Sequence, residues 1–143
     1  MKISITSDHA GVELKEELVE FIESMGHSVK DLGPFNTDSI DYPDYAQKMC
    51  KTVVDKESDL GIAICGTGVG MSMACNKVPG IRASLCSESY SAKLTRQHNN
   101  SNVLCLGARV IGVELAKDIV EEYLKAEFEG GRHQRRIDKL ENF

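Results

Sequence analysis

Leu60 to Cys65 (LGIAIC) runs apolar from end to end, and a glycine-rich stretch, Gly66-Thr67-Gly68-Val69-Gly70, follows at once. A half-exposed strand alternates apolar and polar residues. A continuous apolar run belongs to a strand covered on both faces, as in a parallel sheet between layers of helices. The remaining chain agrees with this constraint. Lys2 to Ser7 is a β-prone run, and Leu14, Leu18, Phe21, Ile22 and Met25 then recur at the spacing of one helical face. Gly26 stands just past that stripe, where a left-handed C′ residue is common. His27 to Leu32 reads as a second strand stopped by Gly33-Pro34. Tyr45, Met49, Val53 and Val54 mark a helix starting near Pro43-Asp44.

After the glycine stretch a short helix is expected to about Asn76, then a strand over Ile81 to Cys86 and a helix from Ser89 to about His98. A fifth strand at Val103 to Leu106 precedes a helix marked by Leu115, Ile119, Val120, Tyr123 and Leu124, with a basic last helix at about 132–140. Alternating strands and helices give right-handed βαβ units. The expected architecture is α/β: a three-layer Rossmann-like sandwich around a five-stranded parallel sheet. A chain of 143 residues makes this a single domain, 1–143, since domains run to roughly 150 residues.

Composition removes several function classes. Acidic side chains outnumber basic ones, 22 to 17, for a formal charge of −5, which argues against a general nucleic-acid surface. No apolar run approaches the ~20 residues of a membrane span. The five cysteines are odd in number and lack paired C-x-x-C spacing, so neither a disulfide framework nor a zinc site is expected. Reduced thiols of this kind point to the cytoplasm.

Parallel sheets bind ligands at the carboxyl ends of their strands. Those ends carry Ser7-Asp8-His9, Cys65 with its glycine turn, Ser87-Glu88, and Gly107-Ala108-Arg109. Three glycines in the five residues 66–70 let backbone N–H groups converge on an anion at a helix N-terminus. The turn is neither a dinucleotide fingerprint, because Met71 stands where the third glycine should be, nor a Walker loop. Glu88 lies about 20 residues beyond Gly68 and could mimic a ribose-binding acid, which keeps a nucleotide-binding reading open. Cys65 ends its strand beside these N–H groups, a setting that lowers a thiol's pKa and suits a base or nucleophile. Thr67 can relay a proton. Cys50, Cys75, Cys86 and Cys105 read as small buried hydrophobes, and His27 as exposed. No histidine pair has metal-ligand spacing. Arg132 and Arg136 fall on one helical face beside His133 and Arg135, a pattern that suits either a solvated face or a phosphate clamp.

One conflict stands out. His98-Asn99 closes the helix before strand five and so lies at the amino edge, roughly 20 Å from Cys65 across a six-residue strand. If they cooperate, His98 comes from a second subunit, and a two-fold dimer with shared sites is expected.

Asp8-His9-Ala10-Gly11, Asp41-Tyr42-Pro43, Cys65-Gly66-Thr67-Gly68-Val69-Gly70, Asn76-Lys77, Gly80-Ile81-Arg82, Arg96-Gln97-His98-Asn99 and Glu129-Gly130-Gly131-Arg132-His133-Gln134 together resemble the type B ribose-5-phosphate isomerases. The likeness spans nearly the whole chain. It implies interconversion of ribose 5-phosphate and ribulose 5-phosphate in the pentose phosphate pathway, without metal or organic cofactor, in a homodimer or dimer of dimers. Cys65 would then be the base. Thr67 and the N–H groups of Gly66, Gly68, Val69 and Gly70 would stabilise an enediolate. His98 would open the sugar ring with Asp8 nearby. His9, Arg109, Arg132 and Arg136 would hold the phosphate, with Asn99 on a sugar hydroxyl. In the related galactose-6-phosphate isomerase, one subunit lacks the Cys-Gly-Thr-Gly turn and the other lacks the His-Asn and Gly-Gly-Arg-His segments. This chain has them all, and allose 6-phosphate remains an alternative substrate. Two rival classes stand beside the isomerase, a phosphate-binding regulatory module and a hydrolase with Cys65 as nucleophile; an isomerase needs Cys65 as base.

Overall fold

Strand β3 (Leu60–Cys65) is buried at all six positions and lies at the centre of the sheet, as its composition requires. The computed structural model describes residues 1–143. The other elements are β1 (Lys2–Ser7), a 3-10 turn (His9–Gly11), α1 (Val12–Ser24), β2 (Ser28–Asp31), α2 (Tyr42–Val54), α3 (Val69–Cys75), β4 (Ala83–Leu85), α4 (Ser89–Asn99), β5 (Val103–Gly107), α5 (Val113–Lys125) and α6 (Arg132–Glu141). All pairings are parallel, in the order β2-β1-β3-β5-β4. The chain thus leaves β1 to one side for β2 and crosses to the other side for β3, which puts the switch point between β1 and β3.

Alternation along β3 divides the core. Leu60, Ile62 and Ile64 join Ile3, Ile5, Leu104 and Leu106 beneath α1 and α5. Ala63 and Cys65 join Val103 and Cys105 beneath α2 and α3, where Met49, Met71 and Cys75 pack. Large side chains thus face one helical layer and small ones the other, so α2 and α3 approach the sheet closely. Eighteen buried residues on the first face, at about 25 cal/mol per Å² of apolar area, form the larger part of the hydrophobic stabilisation.

Two strands are shorter than the sequence pattern suggests. β2 omits His27 and Leu32, and His27 is half-buried, its Nδ1 2.9 Å from the terminal ammonium rather than free in solvent. β4 omits Ile81, Arg82 and Cys86. As the edge strand it pairs with β5 alone, and Asn102 Oδ1 takes the Arg82 N–H at 2.8 Å.

Candidate active site

Cys65 is the last residue of β3, and its side chain faces the α2–α3 layer at the carboxyl edge. The chain then turns through Gly66-Thr67-Gly68 into α3. Gly68 makes the turn with φ +82°, a left-handed conformation that glycine adopts without strain. This geometry aims the Gly68 N–H back at the thiol, and it donates to Cys65 Sγ at 3.1 Å. Thr67 is exposed, and its Oγ1 accepts the Val69 N–H at 3.2 Å. The first rung of α3 is Ser72 N–H to the Gly68 carbonyl, so the Gly70 and Met71 N–H groups precede the helical ladder.

Gly107 stands directly opposite Cys65 in the β3–β5 register. A Cβ built there would lie 2.6 Å from the Thr67 carbonyl oxygen, so only a residue without a side chain lets the turn cross the end of β5. The next residues seal the junction, Ala108 N–H on the Cys65 carbonyl at 2.8 Å and Arg109 N–H on the Gly66 carbonyl at 2.9 Å. The exposed Arg109 side chain lies along Gly66, with Nη1 3.4 Å from where a Cβ on that glycine would be. A guanidinium therefore borders the glycine turn.

From the other flank, Asp8 N–H donates to the Ile64 carbonyl at 2.9 Å. Its carboxylate Oδ1 accepts from Ala10 N–H at 2.8 Å and Gly11 N–H at 3.2 Å, so Asp8 caps the 3-10 turn that orients His9. Oδ2 takes no part in that cap. His9 Nδ1 is buried with no hydrogen-bond partner, a costly state for a polar atom unless the site supplies one. Tyr42 is a residue that sequence reasoning assigned no role. Its ring crosses the turn, with Cζ 2.7 Å from where a Cβ on Gly70 would be. Its sequence signals were an aromatic immediately before Pro43 at a helix start and its place in the Asp41-Tyr42-Pro43 motif, neither of which says what it touches.

Other expectations fared differently. The Glu88 carboxylate is the N-cap of α4, and hydrogen bonding from the Ser91 side chain, then from the Ser91 N–H at 2.9 Å, holds it below the usual glutamate range. That occupation overturns its reading as a ribose-binding acid. The remaining thiols are buried. Burial pushes Cys86 up to about 11, and hydrogen bonding between neighbouring sulfurs, with burial, pushes Cys50 and Cys75 up further. Cys50, Cys75 and Cys86 therefore stay protonated, and all four act as packing.

His98, Asn99, Arg132 and Arg136 do not join Cys65 within this chain. They gather at the opposite, amino edge, where His98, Asn99 and Arg136 line a cavity of about 360 Å³ and Arg132 opens α6 beside it. Arg82 fixes them there: its Nε donates to the Asn99 carbonyl at 3.0 Å and its Nη1 to Glu141 of α6 at 2.8 Å. The His98 and His133 rings stack with centroids 4.3 Å apart, and Glu129 Oε1 lies 3.6 Å from His98 Nε2 and 3.5 Å from His133 Nε2. Burial, then the charges of His98 and Arg132, hold His133 below the usual histidine range. No histidine pair had metal-ligand spacing in the sequence, yet Glu129 and His133, four residues apart, meet His98 of α4 at ligand-like distances.

The sequence profile of the Ribose/Galactose Isomerase family matches residues 3–140. Ribose-5-phosphate isomerase B of Escherichia coli is 51% identical over 139 residues, covering 97% of this chain and 93% of that protein. Ribose-5-phosphate isomerase B of Clostridium thermocellum superposes with a TM-score of 0.98 at 51% identity, over 99% of this chain and 96% of that one. The enzyme of Mycoplasma genitalium, solved with bound ribulose-5-phosphate, gives 0.93 at 48% identity, over 99% and 94% of the two chains.

Proposed function

Since the chain belongs to the ribose/galactose isomerase family, we propose that it interconverts D-ribose 5-phosphate and D-ribulose 5-phosphate through an enediolate. The observation that carries the mechanism is the Gly68 N–H donating to Cys65 Sγ within a turn of converging amides. In this reading Cys65 serves as the base in its thiolate form, with that donor on its sulfur. The thiolate removes the C2 proton of the open-chain aldose and returns it to C1, while the oxygens exchange a proton with Thr67. Negative charge developing on those oxygens meets the amides of Gly66, Gly68, Val69 and Gly70. Such donors are commonly worth about 3–4 kcal/mol each in the transition state. No step calls for a redox cofactor, because the aldehyde and ketone differ only in where two protons sit.

Arg109 beside the turn and His9, with its unpartnered Nδ1, are suited to the phosphate. The rest of the grip comes from a second copy. The six residues of β3, at ~3.3 Å each, put His98, Asn99, Arg132 and Arg136 about 20 Å from the Cys65 of their own chain. In a two-fold dimer they reach the partner's turn, where His98 protonates the ring oxygen to open the furanose, Asp8 stands near it, and Asn99 binds a hydroxyl. Val69 and Met73 of α3, Leu85 of β4 and Tyr90 of α4 are exposed beside the turn, an apolar patch suited to covering by that copy. Five free, buried thiols and no helix long and apolar enough to cross a membrane fit a cytoplasmic enzyme.

A coupled assay of ribose 5-phosphate against allose 6-phosphate and galactose 6-phosphate, run on wild type and Cys65→Ala, tests the reading. The expected result is a clear preference for the pentose and a loss of 10²–10⁴-fold on removing the base. Turnover that survives Cys65→Ala would assign the turn to phosphate binding alone.

A further inference from the structure

We propose that His98, Glu129 and His133 form a binding site for a borderline divalent cation of the Zn²⁺ type, and that filling it inhibits the isomerase. The inhibitory half rests on the role of His98 proposed above; the binding half stands by itself. Each of the three residues offers one ligand atom, and all three atoms lie within 4.8 Å of one another. In a tetrahedral site with bonds of ~2.0–2.1 Å, neighbouring ligand atoms stand about 3.3–3.4 Å apart. The two nitrogen–oxygen separations, 3.6 and 3.5 Å, already approach that value.

The frame holding them is fixed by the backbone. Glu129 N–H donates to the Gln97 carbonyl at 3.0 Å, which ties the segment before α6 to the residue preceding His98. His133 sits in the first turn of α6, with its side chain only 10% exposed, and it supplies the rigid ligand. The His98 ring is 37% exposed and free to turn about its Cβ–Cγ bond. That turn is needed, because stacked rings with planes 10° apart carry their Nε2 lone pairs side by side rather than towards one point. The adjoining cavity of about 360 Å³ gives an ion its entry and leaves room for water as the fourth ligand.

Two imidazoles and one carboxylate select Zn²⁺, Co²⁺ or Ni²⁺ over Mg²⁺ and Ca²⁺, which prefer all-oxygen sets. Arg132 and Arg136 on the same helix oppose a cation. Affinity is therefore expected on the order of micromolar, far weaker than closed structural sites. Once His98 Nε2 is bonded to the ion it has no proton to give to a sugar ring oxygen.

The test uses metal-free full-length protein titrated with Zn²⁺ by calorimetry and with Co²⁺ by visible absorption, alongside ribose 5-phosphate turnover with and without added Zn²⁺. Cys65→Ala removes the one reactive thiol that could compete for the ion. It should bind one Zn²⁺ per chain as tightly as wild type, with no sulfur-to-cobalt charge-transfer band in either protein. Glu129→Gln, and His133→Gln as a second variant, should weaken binding about tenfold or more. Inhibition of each variant, taken relative to its own metal-free rate, should weaken to match. Unchanged affinity in both variants, or binding lost in Cys65→Ala, overturns the site. Binding at this site with undiminished ribose 5-phosphate turnover overturns the inhibitory half and the role given to His98, while leaving the family reading intact.

Discussion

Replacing Gly107 with alanine tests whether the turn's position, and not just its residues, sets the rate. The new Cβ would meet the Thr67 carbonyl oxygen at 2.6 Å, its carbon at 2.7 Å and its Cα at 2.9 Å. All three are backbone atoms, so no rotamer change relieves the clash. The turn must withdraw by about 0.4–0.8 Å before the contact becomes tolerable in a close-packed interior. Overpacking of this kind costs about 1–3 kcal/mol of stability. Since a misplacement of about 1 Å can cost a hundredfold in rate, the expected fall in kcat is about 10- to 100-fold. Stability is read from urea unfolding and kcat from steady-state assays well below the thermal midpoint. Gly112→Ala is the control, because nothing lies within 4 Å of its Cβ position, and it should change kcat by less than a factor of about two. A folded Gly107→Ala enzyme with wild-type kcat would sink the claim that turn placement governs the chemistry.

Three further outcomes are expected. Cys65→Ala and His98→Asn proteins, each inactive alone, should regain about a quarter of wild-type activity when unfolded together and refolded, since half the dimers are mixed and each carries one intact site; no recovery would put both residues in one subunit's site. Lys15 is fully buried against Asp31, with Nζ 2.8 Å from both carboxylate oxygens, so Asp31→Asn should cost about 3 kcal/mol in urea unfolding. Lys15→Met should cost less, because Asp31 is 24% exposed and keeps the Gly33 N–H; the reverse order would contradict this account. Glu88 has a depressed folded pKa, so its capping contribution is present above the ordinary carboxylate range and lost as pH falls through the lower folded value. The gap in melting temperature between wild type and Glu88→Gln should therefore be open at pH 7 and close below the usual glutamate pKa of about 4.3; a gap that persists at lower pH would argue against the cap.

The parts of this molecule that sequence revealed are those set by local periodicity and by burial on two faces. Leu60 to Cys65 announced a central parallel strand, and the stripe through Leu14, Leu18 and Ile22 announced the helix covering one side of it. Gly68 could be placed at the turn because few other residues adopt its φ of +82°. Pairing order was hidden: nothing in Ile81 to Cys86 says that this strand lies outside β5, which thins it to three residues at the sheet's edge. Glu88 misled because spacing alone cannot separate a helix cap from a ligand-binding acid. Tyr42 and Glu129 stood in recognisable motifs, but their roles were hidden for a common reason. Each acts on residues far away in sequence, Tyr42 over Gly70 and Glu129 beside His98, and only the folded chain brings them together.

The insertion of β5 between β3 and β4 also bears on how the chain is made. On a ribosome, β4 emerges before the only strand it can pair with, and β3 keeps one row of backbone donors and acceptors open until Val103 appears. Nascent chains halted short of that residue carry a bare hydrophobic edge, and they should sediment with one another, whereas chains halted after α5 should not. Synthesis is nearly over before the chain has a floor beneath its own glycine turn.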